Sequence, residues 1–311
     1  MIEEHEAKHY DIHPATQFFY LVLVIIACLI LGVIVSAAVI TGVYGLAVFK
    51  SMGVLSAGTS PEVLNALKIF QSFSSIFLFL APPVFFAYLI VREPDEYLKA
   101  NIRFPVSLMV IVLLIMFASA PLMEVLVNIN QRMVFPHFLK GVYDWMRNSE
   151  DEATRATTIL LKMNNLPDVI INMIMIAVLP AVAEEFMFRG AIQTIFTRWT
   201  KNPHWGIWIA AILFSAMHMQ FFGFLPRLLL GVFFGYFVLW SGSIWTSVWG
   251  HFINNGTAVV VTYLYQQKKI TVNPDNQHVF NYGAYAFSLI ITVFLFLIYR
   301  KVSEKKQLPV L

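Results

Sequence analysis

Charge is what this chain has least of. Only 13% of its 311 residues are Asp, Glu, Lys or Arg, against roughly 25% in a soluble domain, so its surface is expected to face lipid. The formal net charge of +3 is small and the basic residues are scattered, which argues against a nucleic-acid face. Cysteine is almost missing too: Cys28 stands alone inside an apolar stretch, so no intrachain disulfide can form. There is no Gly-x-Ser-x-Gly elbow, no P-loop, no dinucleotide fingerprint and no H-E-x-x-H zinc motif. Residues 1–17 are polar and on balance acidic, and the apolar run after them is too long for a signal h-region, so no cleavable signal is expected. Neither an internal repeat nor a low-complexity segment is visible.

What is abundant is apolar length. The chain is 59% hydrophobic, with a mean hydropathy of +0.71. A helix needs about 20 apolar residues to cross the hydrocarbon core, and about eight windows meet that length. They lie near 18–47, 69–91, 106–129, 168–199, 204–222, 225–242, 244–265 and 282–300. The expected fold is therefore all-α, a polytopic transmembrane helical bundle of about eight spans. Its organisation reads as a polar N-terminal segment 1–17, one membrane domain 18–300 with its chemistry in 168–265, and a basic tail 301–311. The longest connection, 130–167, is amphipathic around Phe135–Met146 and has an expected charged turn at Glu150–Arg155. Basic residues in short loops on the termini side place both termini in the cytoplasm.

Three polar groups interrupt the late spans. An ionisable side chain at membrane depth costs about 2.5–3.5 kcal/mol on insertion scales, so each needs a partner, a cavity or both. The first group is Glu184-Glu185 followed by Arg189. Neighbours on a helix point about 100° apart, so the two acids cannot share a direction. Glu185 and Arg189, four apart with the acid first, suit an ion pair, which leaves Glu184 aimed elsewhere. Pro180, one turn earlier, removes a backbone donor and predicts a kink and a freed carbonyl. The second group is His218 with Phe214 on the same face. The third is His251 with Asn255, flanked by Gly250 and Gly256. Gly231 and Gly235 read as helix packing, and Glu124 as a structural or interfacial group.

A carboxylate and two imidazoles around a cavity can activate water by general-base catalysis, with a histidine or amide stabilising the oxyanion. The same residue types, Glu184, His218, His251 and Asn255, are also those that could ligate a divalent metal such as zinc. Buried Glu, Arg and His build proton relays in transporters as well, although no inverted repeat is visible. A non-catalytic membrane scaffold is the remaining reading.

These motifs resemble those of the CPBP family, the CAAX prenyl proteases and bacteriocin-processing enzymes. Glu184-Glu185-x-x-x-Arg189, Phe214-x-x-x-His218 and His251-x-x-x-Asn255 follow the family's order on successive helices. The resemblance covers roughly residues 168–265, about a third of the chain. It implies an intramembrane endopeptidase whose site opens towards the cytosol. Glu184 would activate the attacking water with help from His218, while His251 and Asn255 would hold the oxyanion. Glu185, Arg189 and Phe214 would support them. The implied partner is a membrane-associated peptide or protein, CAAX-type prenylated or not, in a bilayer that suits a bacterial inner membrane. The family also includes bacteriocin-immunity proteins, so the non-catalytic reading remains beside it.

Overall fold

The computed structural model describes residues 12–53, 60–271 and 279–304, and every regular element among them is a helix. Ten longer helices carry the architecture. They are α1 (Pro14–Tyr44), α2 (Pro61–Val91), α3 (Ser107–Ala118), α4 (Ala120–Gln131) and α5 (Lys140–Leu160). There follow α6 (Leu166–Thr200), α7 (Pro203–Met217), α8 (Phe224–Ser241), α9 (Ile244–Gln266) and α10 (Tyr282–Glu304).

Local chemistry sets the helix boundaries. Ser60, Asn165, Asn202 and Ser243 each accept a hydrogen bond from a first-turn backbone N–H of the helix that follows them. Pro61, Pro167 and Pro203 occupy first-turn positions, where their missing N–H costs nothing. Gly242, at φ 70°, ends α8 in a left-handed conformation that a side chain would strain.

Helices occupy all eight expected apolar windows, but not all of them qualify as spans. Five are long and apolar enough to cross a membrane, or six if α3 and α4 count as one broken span. Those two are bent by 44° where Pro121 enters the first turn of α4. α7 has only 15 residues, about 22 Å of helix, which falls short of the ~30 Å core. α9 is long enough, but His251, Asn254, Asn255 and its Ser and Thr residues lower its hydropathy. The expected boundaries also move. The first helix begins at Pro14 rather than 18, and the last runs to Glu304. The rest of the expected N-terminal segment and basic tail, 1–11 and 305–311, lies outside the described residues.

The expected charged turn at Glu150–Arg155 does not exist. One helix, α5, runs straight through it. Its charges were misleading because charge alone does not break a helix. Neither Gly nor Pro occurs between Gly141 and Pro167.

Hydrogen bonds between loops define the two ends of the bundle. At one end Tyr97 Oη donates to Gln17 (3.2 Å), Asn101 Nδ2 to Gly242 O (2.8 Å) and Trp245 Nε1 to Ala100 O (2.8 Å). At the other, Asn130 Nδ2 donates to Phe221 O (2.8 Å), Phe222 N to Glu150 Oε2 (3.1 Å) and Met163 N to Gln266 Oε1 (2.9 Å). Glu124 also binds at that second end, accepting from Val279 N, Phe280 N and Tyr285 Oη, as its structural reading expected. In the middle, α9 packs against α3, α6 and α8, while α7 lies between α6 and α8.

Close approach depends on small residues. A Cβ on Gly231 would come 2.9 Å from Ala211 Cβ, and one on Gly235 would come 2.7 Å from Ile207 Cγ2. Both glycines therefore act as the packing residues their spacing suggested.

Candidate active site

α6 is irregular where the acids sit. π-helical turns at Met173–Val178 and Phe186–Ile192 bracket the α-helical segment Leu179–Glu185. Such wide turns shift the register of side chains and recur at functional sites. Pro180 has no N–H to offer Ile176 O, four residues back. Asn255 Nδ2, from α9, donates to that carbonyl at 3.1 Å. The freed carbonyl expected from the sequence thus has a side-chain partner on another helix.

The expected division between the two acids is present. Arg189 Nη1 meets Glu185 Oε1 at 2.8 Å with both side chains fully buried, and Arg189 Nη2 donates to Gly231 O at 3.1 Å. Arg189 also lies 4.6 Å from the centre of the Phe214 ring and 5.2 Å from that of Phe234, so its charge is solvated by a carboxylate, a carbonyl and two aromatic faces. Glu184 has no such pairing. Its side chain keeps 13% of its surface, and Oε2 has no hydrogen-bond partner among the described residues.

His251 links the two acids. Its Nδ1 lies 2.9 Å from Glu185 Oε1, and its Nε2 lies 3.9 Å from Glu184 Oε2. A carboxylate paired with arginine can only accept, so Nδ1 is the donor and Nε2 faces Glu184. The ring is held in place by Phe234, stacked at 5.2 Å and 16°, and by the edge-on Phe214 at 5.8 Å. Phe214 also meets His218 edge-on at 5.0 Å. His218 Nδ1 is committed to Phe214 O at 2.9 Å, leaving only Nε2 for chemistry.

One ring therefore gathers residues from three helices: Arg189 of α6, Phe214 of α7 with His218 just beyond it, and His251 of α9. Asn255 joins less directly, because one N–H serves Ile176 O and its Oδ1 accepts from Asn254 Nδ2 at 3.0 Å. It lines a polar cavity of about 600 Å³ at the second end of the bundle. Residues 166–257 match the family model described as type II CAAX prenyl endopeptidase Rce1-like. The chain carries an Rce1-like segment. That segment spans all three motifs, and the resemblance seen in the sequence is to this family.

YpbD, an uncharacterised protein of Bacillus subtilis (strain 168), is 30% identical over 86 residues, which are 26% of this chain and 41% of that protein. The match thus spans about two fifths of the curated relative. No solved structure matches.

Among the described residues no three of His, Cys, Asp and Glu are grouped so as to hold a metal ion. Glu185 holds His251 Nδ1 and Phe214 O holds His218 Nδ1, a pattern that metal-ligating histidines also show, so both Nε2 atoms stay free, while the Asn255 amide is hydrogen-bonded on both sides. No step below is routed through a metal.

Two participants escaped the sequence reading. Phe234, the platform under His251, is one phenylalanine among 28 and has no local signal. Arg227 does have one: it is a lone cation in the apolar run Phe224–Ser241, which the argument applied to the glutamates would have singled out.

Proposed function

We propose that this chain is an intramembrane endopeptidase that hydrolyses a peptide bond of a membrane-associated peptide or protein, with Glu184 as the general base. One observation carries the reading. An unpartnered carboxylate oxygen stands 3.9 Å from an imidazole nitrogen whose orientation a buried Glu–Arg pair has fixed. Two acceptors at that separation do not bond each other, but a water between them can donate to both.

Glu184 takes a proton from that water as oxygen attacks the carbonyl carbon, then delivers it to the leaving amine when the C–N bond breaks. His251 orients the water through Nε2. Asn255 retains a second N–H for the oxyanion of the tetrahedral intermediate. His218 offers Nε2 from the far edge of Phe214. Glu185 and Arg189 position His251 without touching substrate. The family likeness supports a protease, and prenylated CAAX-type peptides are the first substrate class to try.

The test compares the purified chain with its Glu184→Gln variant on a quenched peptide pool that includes prenylated members. Loss of a general base predicts a drop of ~10²–10⁴-fold in cleavage with an unchanged melting curve. Cleavage retained by the variant would overturn the assignment. A biological effect that survives Glu184→Gln and His251→Ala would instead support the scaffold reading.

A further inference from the structure

The polar cavity beside the site contains a cation that the proposed chemistry does not use. Its walls include Thr154, Thr157, Gln220, Arg227, Asn255 and Thr262. At about 600 Å³ it falls within the rough range of 300–1,000 Å³ for ligand pockets. Arg227 sits in the first turn of α8. Its Nη1 donates to Gln220 O at 2.9 Å and its Nη2 to Gln220 Oε1 at 2.6 Å. A Cβ on Gly223 would fall 2.8 Å from Nη2, so the guanidinium packs flat on that glycine. Gly223 and Gln220 thus hold the side chain in one pose.

Both Gln220 acceptors are neutral, and the carboxylates that act on Arg227, Glu150 and Glu184, do so through space without touching it. It makes no ion pair among the described residues. Five N–H groups belong to a guanidinium, and the Gln220 contacts use two of them. A fixed fork of this kind matches a carboxylate in two-point geometry. Apart from Leu161 and Ala258, the remaining walls are hydroxyl- and amide-bearing residues, which suit a peptide backbone better than an acyl chain. Hydrocarbon has a separate groove of about 550 Å³ between α8 and α10, lined by Leu229, Phe233, Leu289 and Phe296. Asn255, shared by cavity and site, stands four residues from His251, about 6 Å along the helix.

We propose that this cavity is a carboxylate-binding subsite in which Arg227 anchors the substrate chain, by its terminal carboxylate or by an acidic side chain, close to the bond presented to Glu184. The subsite rests on the protease reading for its purpose, but not for its binding chemistry.

Binding is therefore measured without cleavage, on the full-length Glu184→Gln variant in phosphatidylcholine nanodiscs. The probes are fluorescent N-palmitoyl hexapeptide pools in three forms: free acid, carboxamide, and carboxamide with one fixed Glu. A charge-assisted contact predicts that the free acid, the Glu pool or both bind about tenfold or more tightly than the neutral carboxamide. Whichever pool is preferred identifies where the carboxylate is carried. Adding Arg227→Gln should abolish the preference, whereas Arg227→Lys should keep part of it and shows that the cavity still folds. Equal binding of all pools, no binding of any, or a preference that survives Arg227→Gln overturns the subsite. So does loss of the preference in phosphatidylglycerol nanodiscs, which would assign Arg227 to lipid headgroups. Carboxylate binding combined with no cleavage by the Glu184 parent would instead overturn the protease reading and leave the subsite standing.

Discussion

Arg189 shows how a single side chain can organise this site. It is completely buried, yet each of its polar contacts is with a different helix or turn: Glu185 within α6 and Gly231 O on α8, beneath the rings of Phe214 and Phe234. Removing one partner of a buried pair leaves the other charge stranded and costs about 3–5 kcal/mol, whereas removing both can be nearly neutral. Arg189→Met should therefore lower the melting temperature in detergent sharply, and Glu185→Gln added to it should recover much of the loss. If the double variant melts no higher than Arg189→Met, the cost does not come from a stranded carboxylate. This pair could be read from the sequence, because Glu185 and Arg189 lie four apart on a helix. The position of Phe234 under His251 could not, since it depends on how α8 rotates against α9.

At the scale of helices, apolar length was a good guide and charge a poor one. The windows at 168–199 and 225–242 became α6 and α8, while the cluster at Glu150–Arg155 became the middle of α5. α5 docks on the turn before α8 through Glu150 Oε2, which accepts from Phe222 N, and through Arg147, 3.8 Å from the centre of the Phe222 ring. The next turns of the same helix and its C-cap supply Thr154, Thr157, Thr158 and Leu161 to the wall of the cavity that contains Arg227. A lost hydrogen bond to a charged acceptor is worth ~1.5–3 kcal/mol. Glu150→Ala should thus speed hydrogen exchange across Lys140–Leu160 by roughly 10-fold or more, with little change in α10. Unchanged exchange in α5 would mean that other contacts hold it there. None of this docking was legible beforehand, because it joins residues 72 positions apart through a backbone N–H.

For the whole molecule, the three motifs were legible as separate helices, and their convergence on Phe214 is what the bundle adds. Orientation was the weak point. Basic residues divide between the two ends, with Arg103 and Lys201 at one and Lys140, Lys162 and Lys269 at the other, so loop charge gives little direction. The structure introduces a constraint that the sequence did not. The polar cavity belongs to the end that holds α5 and the α9 terminus, whereas Pro14 and Glu304 belong to the opposite end. Cytoplasmic chain ends and a cytosol-facing cavity are consequently alternatives, not companions. Cysteine labelling separates them, because Cys28 is the only native thiol and is buried. In a Cys28→Ala background, Glu152→Cys on α5 and Lys201→Cys between α6 and α7, both at exposed positions, should react with an impermeant maleimide from opposite faces of the membrane. Thr157→Cys, in the cavity wall, should follow Glu152→Cys. If the reagent reaches Lys201→Cys from inside intact cells only after they are opened, while Thr157→Cys reacts beforehand, a substrate must enter from outside. The reverse pattern gives cytosolic entry and places both chain ends on the outer face. Labelling of Glu152→Cys and Lys201→Cys from one face would contradict the arrangement of the bundle itself.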